Sequence, residues 1–357
     1  MSVSLIGIGQ IREKVKEEKN KFQMTKKLIV FGDNSVKNED SLINILCERT
    51  GTTAIINSAN YTIENFFNYG FPSKFYNSNE LYDNKSMYIN VGRNDMSLYP
   101  CDSYAYVPDS LISLRNHVLS MLFMCTIPPK YYYPADTLFK SADDWVKDGH
   151  HPGSIKTFSV NPFVDTITLA TNININARYY VMILYVEFDI YTQSENIDVN
   201  VLLDNKVEAS INIPRYGVNY TRSRIIPYCV VLDMLDTKYR SLSIEMKSKF
   251  GNTTVGIFGV YGFNDDVKDC RNVLVDGFGY NYHEINHYQS ISSLDVITRT
   301  QTRYNNIFTT FSSCVSDLQS LKLPVYYREY KGLSMYSTNT QNNMNIADLL
   351  NNIKLFQ

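Results

Sequence analysis

The feature that most constrains the fold of this chain is a change of grammar near Phe158. Downstream of it come TITLATNI, ARYYVMILYVEFDIY, IDVNVLLDN, VEASINI, IPYCVVLDML, YRSLSIEMKS and TTVGIFGVYGF. Each segment is strand-length, rich in Val, Ile and Tyr, and bounded by Asn, Asp, Gly or Pro turns at intervals of roughly ten residues. The pattern predicts an antiparallel β-sandwich or jelly roll over 159–264. Within it Val199, Val201 and Leu203 alternate with Asn200, Leu202 and Asp204, as a sheet with one face in and one face out requires.

Upstream, residues 27–158 read differently. Apolar runs at Leu28–Phe31, Thr53–Ile56, Met87–Val91 and Leu119–Cys125 predict strands, and the stretches near Asp40–Glu48 and Asp109–His117 predict helices. That alternation is the signature of a small doubly wound, flavodoxin-like sheet. Ligand chemistry in such sheets gathers at the carboxyl ends of the strands, here the turns after Phe31, Ile56, Val91 and Cys125. The predicted fold class is therefore α/β plus all-β. Residues 1–26 form a leader whose charged run, IREKVKEEKNKFQ, is a marginal helix on its own; it serves either as an anchor or as a solvated helix packed on the next domain. Residues 265–357 are polar and rich in Tyr and Asn, and end in the amphipathic MNIADLLNNIKLF. They form either a third small domain or a mixed extension that folds on a partner.

A chain of 357 residues can bury more than one core, which suits two or three domains. A net charge of -2 gives no electrostatic footprint for nucleic acid. No segment has the apolar length of a membrane span, and MSVSLIGIGQIREK lacks the layout of a secretory signal, so synthesis in a reducing cytoplasm is expected. Cys47, Cys101, Cys125, Cys229, Cys270 and Cys314 have no metal-ligand spacing and read as buried free thiols. His283, Glu284 and His287 spell H-E-x-x-H, but GYNYHEINHYQS lacks the apolar periodicity of a zinc-binding helix and no third ligand is placed. No metal or cofactor is assigned.

Four turns of the α/β part resemble the blocks of SGNH, or GDSL-type, hydrolases: IVFGDNSV, IINSANYT, VGRNDM and DGHHPG, in that order, with TIPP at Thr126–Pro129 between the last two. The resemblance implies acyl transfer, in which a serine attacks, a histidine takes its proton, an aspartate orients that histidine, and amide donors hold the oxyanion. Asp148 and His151 would be the orienting acid and the base, Asn94 a side-chain oxyanion donor and Ala59 a backbone donor. The departure falls on the nucleophile, because Asn34 occupies the serine position. Ser35 is adjacent, but one step along a helix start turns a side chain by about 100°. Only about fifty residues separate Asp95 from Asp148, and DGHHPG runs into SIKTFSVNPF rather than a closing helix. The resemblance thus implies a trimmed domain. His150 and His151 have an alternative reading as turn residues that satisfy backbone groups, as do Asp33 and Ser35 as helix caps.

The sequence also holds 28 Tyr against one Trp, beside a heavy load of Asn, Ile and Lys. Together with the charged leader, the β-module and the polar ending, this composition is that of a viral, phage-type fibre or receptor-binding protein. The expected location is the virion, after synthesis in the host cytoplasm. The expected partners are further copies of the chain, other virion proteins and a cell-surface glycan, which exposed Tyr rings suit. The alternative is an active carbohydrate O-acetyl esterase using Ser35, Asp148 and His151.

Overall fold

The computed structural model describes residues 27–32, 42–58, 86–90, 108–139, 156–160, 166–188, 197–213, 225–248, 253–267, 269–276 and 309–328. The leader at 1–26 lies outside the described residues.

Three strands open the chain: β1 (Lys27–Gly32), β2 (Thr53–Ser58) and β3 (Ser86–Asn90), with helix α1 (Leu42–Thr50) between the first two. They agree closely with the runs read from the sequence. β1 pairs in parallel with β2 on one side and β3 on the other. Leu28 to Phe31 are all buried, which is why the strand reads as a continuous apolar run rather than an alternating one.

The next element corrects an expectation. Helix α2 spans Pro108–Thr126, so the predicted strand Leu119–Cys125 is its C-terminal half. Residues 117–126 are buried without a break. A helix buried on every side has no amphipathic stripe, and a short apolar run without periodicity reads equally as a buried strand. The TIPP stretch accordingly leaves a helix, not a strand: Ile127 N–H still donates to the Phe123 carbonyl at 3.0 Å, and Pro129–Tyr131 follow as one 3-10 turn.

From there the chain enters the β-module. The short β4 (Tyr132–Pro134) and α3 (Ala135–Leu138) precede β5 (Lys156–Val160), β6 (Ile167–Ala170), β7 (Ile175–Phe188), β8 (Ile197–Leu203), β9 (Lys206–Ile213), β10 (Ile225–Arg240), β11 (Leu242–Ser248) and β12 (Thr253–Phe263). One sheet runs β10-β7-β12, with β4 and β5 both pairing the far side of β12; the other runs β6-β11-β8-β9. All these pairings are antiparallel. The interleaving of β5 to β12 between the two sheets is that of an eight-stranded jelly roll.

The chain then returns to the first sheet. β13 (Asn272–Asp276) pairs in parallel with β3, and β14 (Val325–Arg328) pairs in parallel with β13, after a helix α4 over residues 309–320. The completed order is β14-β13-β3-β1-β2, which in order of appearance is the doubly wound 2-1-3-4-5 arrangement. Three expectations change with it. The boundary at 158/159 does not coincide with the sheets, since β4 and β5 already belong to the jelly roll. Residues 265–357 contain two strands of the parallel sheet rather than forming only a separate extension. The α/β unit is not trimmed: its fourth and fifth strands lie beyond the jelly roll, which is inserted between α2 and β13.

One hydrophobic core joins the two units. Ile29, Phe31, Met87, Ile89, Val273 and Val325 of the parallel sheet, the C-terminal half of α2 from Val118 to Cys125, and Tyr179, Val181, Ile183, Phe258, Tyr261 and Phe263 of the jelly roll form a single buried cluster. A second cluster fills the space between the two jelly-roll sheets. The sheet containing β7 and β12 is thus buried on both faces.

The chain segments leading into and out of the jelly roll are fastened to each other. Arg271, just before β13, donates its backbone N–H to the Thr126 carbonyl at 3.0 Å and its Nη1 to the Cys125 carbonyl at 3.1 Å. A guanidinium there meets the negative end of the α2 dipole. Lys130 and Asp269 pair at 2.8 Å beside it. Where β4 meets β12, the register of β12 slips between Ile257 and Gly259, and the Tyr132 hydroxyl donates to the Phe258 carbonyl. A Cβ on Gly259 would stand 2.6 Å from the Tyr133 carbonyl oxygen and 2.7 Å from Tyr132 Cζ. Gly259→Ala is expected to cost about 1–3 kcal/mol through this overlap, read as a lowered Tm by calorimetry; an unchanged Tm would mean that β4 does not seat on β12 in this way.

Candidate functional site

In a sheet of this topology the edge that carries ligand chemistry is the carboxyl edge of the strands. Gly32, the last residue of β1, is the register partner of Ser58 on β2 and of Asn90 on β3. The three loops that carry the hydrolase-like blocks therefore leave the sheet side by side, from strands about 4.8 Å apart. The chain passes from β1 to β2 on one flank and then crosses to β3 on the other, so the topological switch point falls between β1 and β3, where open α/β sheets bind ligands. Asn34 and Ser35 follow Gly32 by two and three residues, Ala59 follows Ser58 directly, and Asn94 follows Asn90 by four. Asn34, Ser35, Ala59 and Asn94 themselves lie outside the described residues, as do His283 and His287 in the loop after β13.

Asp148 and His151 also lie outside the described residues, but the elements flanking them are defined. Phe139 forms an isolated bridge with Thr171, and Lys156 opens β5 opposite Ile257. DGHHPG thus stands, in chain order, between α3 and β5 and ahead of the fourth strand of the parallel sheet.

The thiols offer no substitute nucleophile among the described residues. Cys47, Cys125, Cys229, Cys270 and Cys314 are all free. Burial pushes Cys47 up to about 11 and Cys125, Cys270 and Cys314 up to about 12, and raises Cys229 as well. Groups held so far from the thiolate are inert structural cysteines. No cluster of three His, Cys, Asp or Glu side chains able to hold a metal occurs among the described residues.

The densest charge constellation among the described residues was not singled out in the sequence. Arg178 on β7 donates from Nε and Nη2 to both carboxylate oxygens of Asp233 at 2.8 and 2.9 Å, and from Nη1 to Asp265 at 2.6 Å. The Tyr179 hydroxyl donates to the other Asp265 oxygen at 2.8 Å, and Lys322 ahead of β14 lies 3.5 Å from it. Hydrogen bonding from Arg178 holds the Asp233 carboxyl below its ordinary range; the Tyr179 hydroxyl, then the Arg178 and Lys322 charges, do the same for Asp265. Perturbed groups of this kind mark either a site or an ion-pair network. Here every charge is matched, and the group ties the jelly roll, its returning segment and the turn before β14 together. Its signal in the sequence was nil, because the partners are separated by 55 to 87 residues and meet only in the fold.

No family model matches this chain, and neither does any curated protein. Among solved structures, it is similar to a two-domain esterase active on acetylated mannans, with 9% identity over 72% of this chain and 94% of that one, at a TM-score of 0.29. It is also similar to the VP2 subviral particle of infectious bursal disease virus, with 15% identity over 32% of this chain and 31% of that one, at 0.23. A family 16 carbohydrate-binding module matches with 7% identity over 36% of this chain and 89% of that one, at 0.22. Scores this low assign neither family nor activity.

The ion-pair network gives a pH signature. Carboxyls with depressed folded-state values contribute stability above their unfolded pKa, about 3.9, and lose it as pH falls through the lower folded value. Arg178→Met is therefore expected to lower Tm at pH 7, with the gap to wild type closing as pH falls below about 4. A gap of equal size at pH 2.5 and pH 7 would contradict the assignment.

Proposed function

We propose that this chain is a viral, phage-type appendage protein that assembles with copies of itself and with other virion proteins and binds surface glycan. Its parallel sheet keeps the layout of an SGNH-type hydrolase without the chemistry. The observation that carries the reading is the vacancy at the nucleophile of the acyl-transfer machinery, where Asn34 stands at the serine position. An amide is not a usable nucleophile, and without it the oxyanion donors and the base have no step to serve. What remains is a switch-point crevice beside a jelly roll, an architecture that serves capsid and lectin domains. Architecture alone does not fix function; the Tyr- and Asn-rich composition and the charged leader support the virion setting.

The esterase alternative, with Ser35 as nucleophile and Asp148 and His151 as its acid–base pair, keeps one supporting observation. His151 is five residues from Lys156, an extended reach of up to about 18 Å. Lys156 pairs opposite Ile257, in the part of the jelly-roll sheet where Cys229 N–H donates to Asn116 Oδ1 on α2 at 3.1 Å.

Hydrolysis of p-nitrophenyl acetate separates the two. Wild type is expected to show no turnover above background, and Ser35→Ala and His151→Ala to change nothing, while light scattering reports an oligomer. Turnover in wild type that both alanine variants abolish would establish the esterase, and a strictly monomeric chain would contradict the appendage reading.

A further inference from the structure

The jelly roll has one open sheet face. The sheet built on β7 and β12 is covered on one side by α2 and the parallel sheet and on the other by its partner sheet. Among the described residues, no element packs on the outer face of β6-β11-β8-β9.

That face is ordered in rows by the strand register. Thr168, Glu245, Asn200 and Ser210 stand side by side across the four strands. Ser210 Oγ donates to Asn200 Oδ1 at 2.8 Å, which fixes the amide's orientation and leaves its Nδ2–H groups as donors next to the Glu245 carboxylate, an acceptor. The row on one flank contains Ala170, Ser243, Leu202 and Val207; Leu202 is buried and Val207 is 46% exposed, so Val207 and Ala170 form the accessible part of a low aliphatic shelf. On the other flank Lys247 faces Asp198, whose carboxylate accepts from Asn212 Nδ2 at 2.5 Å.

We infer that this face is a binding site for a neutral polysaccharide chain. The inference rests on the glycan-binding reading above and gives it a location. A sugar hydroxyl both donates and accepts, so it pairs with an amide donor and a carboxylate acceptor held one strand apart, while the C–H face of the ring packs on Val207. The shelf and the Glu245 row carry a single formal charge, which is negative, so phosphate- or sulfate-bearing polymers are repelled rather than selected. The side chains are short, and three of them are fixed or flanked by cross-strand partners, so little rotamer freedom is lost on binding.

The test is native affinity electrophoresis of the full chain in gels containing dextran, galactomannan or xylan, comparing wild type with Asn200→Ala, Glu245→Ala and the shape-conserving Glu245→Gln. Retardation of wild type in at least one gel, with the dissociation constant raised at least tenfold in each variant at unchanged Tm, is the expected result. Retardation that the variants leave unchanged would overturn this site while the glycan-binding reading stands. No retardation in any gel would overturn that reading and the site together. A change of oligomeric state in the variants, without a change in retardation, would make the face a contact between copies of the chain and overturn the inference.

Discussion

The burial of the C-terminal half of α2 is the constraint on which the rest of the structure depends. A helical segment buried without a break from 117 to 126 must be enclosed, because leaving either face wet would expose Met121, Phe123 and Met124 to water at about 25 cal/mol for each Å² of apolar surface. The parallel sheet covers one side, with Ile29, Phe31, Met87, Ile89 and Val273. The jelly roll covers the other, with Tyr179, Val181, Phe258 and Tyr261. Neither unit buries its own face without the helix between them, so the inserted jelly roll is an integral layer and not an ornament on a flexible stalk.

That arrangement separates the roles of the two edges of the parallel sheet. The jelly roll departs and returns near the end of α2 and the start of β13, where Arg271 holds the Cys125 and Thr126 carbonyls and Lys130 holds Asp269. The loops after β1, β2 and β3 leave from the opposite, carboxyl edge. An insertion at the amino edge leaves the switch-point crevice free to change its residues without disturbing the shared core.

Much of the local structure was legible in the sequence, and most of the long-range structure was not. Leu28–Phe31 read as a buried strand because an apolar run of that length between polar neighbours has few other uses, and the jelly-roll strands were readable from their turns and from alternation such as Val199, Val201 and Leu203. Leu119–Cys125 was misread because enclosure on every side erased its periodicity. β13 and β14 were missed for a different reason. NVLVD and VYYR are four or five residues long, sit among polar residues, and find their partners by way of β3, nearly 190 residues upstream of β13. The edge of the candidate site divides in the same manner: β1, β2 and β3 end side by side, as their apolar runs suggested, whereas the turn after Cys125 follows a helix and not a fourth strand.

The central claim is that residues 272–276 and 325–328 complete the sheet begun by 27–32 and 86–90, with the jelly roll as a layer of the same core. Hydrogen exchange followed by mass spectrometry on the full chain tests it most directly. The account predicts that amides of β13 are protected as strongly as those of β1 and β3, and that all of them lose protection together with α2 as denaturant is raised. Early exchange of 272–328 as an independent unit, with β1, β3 and α2 still protected, would contradict it.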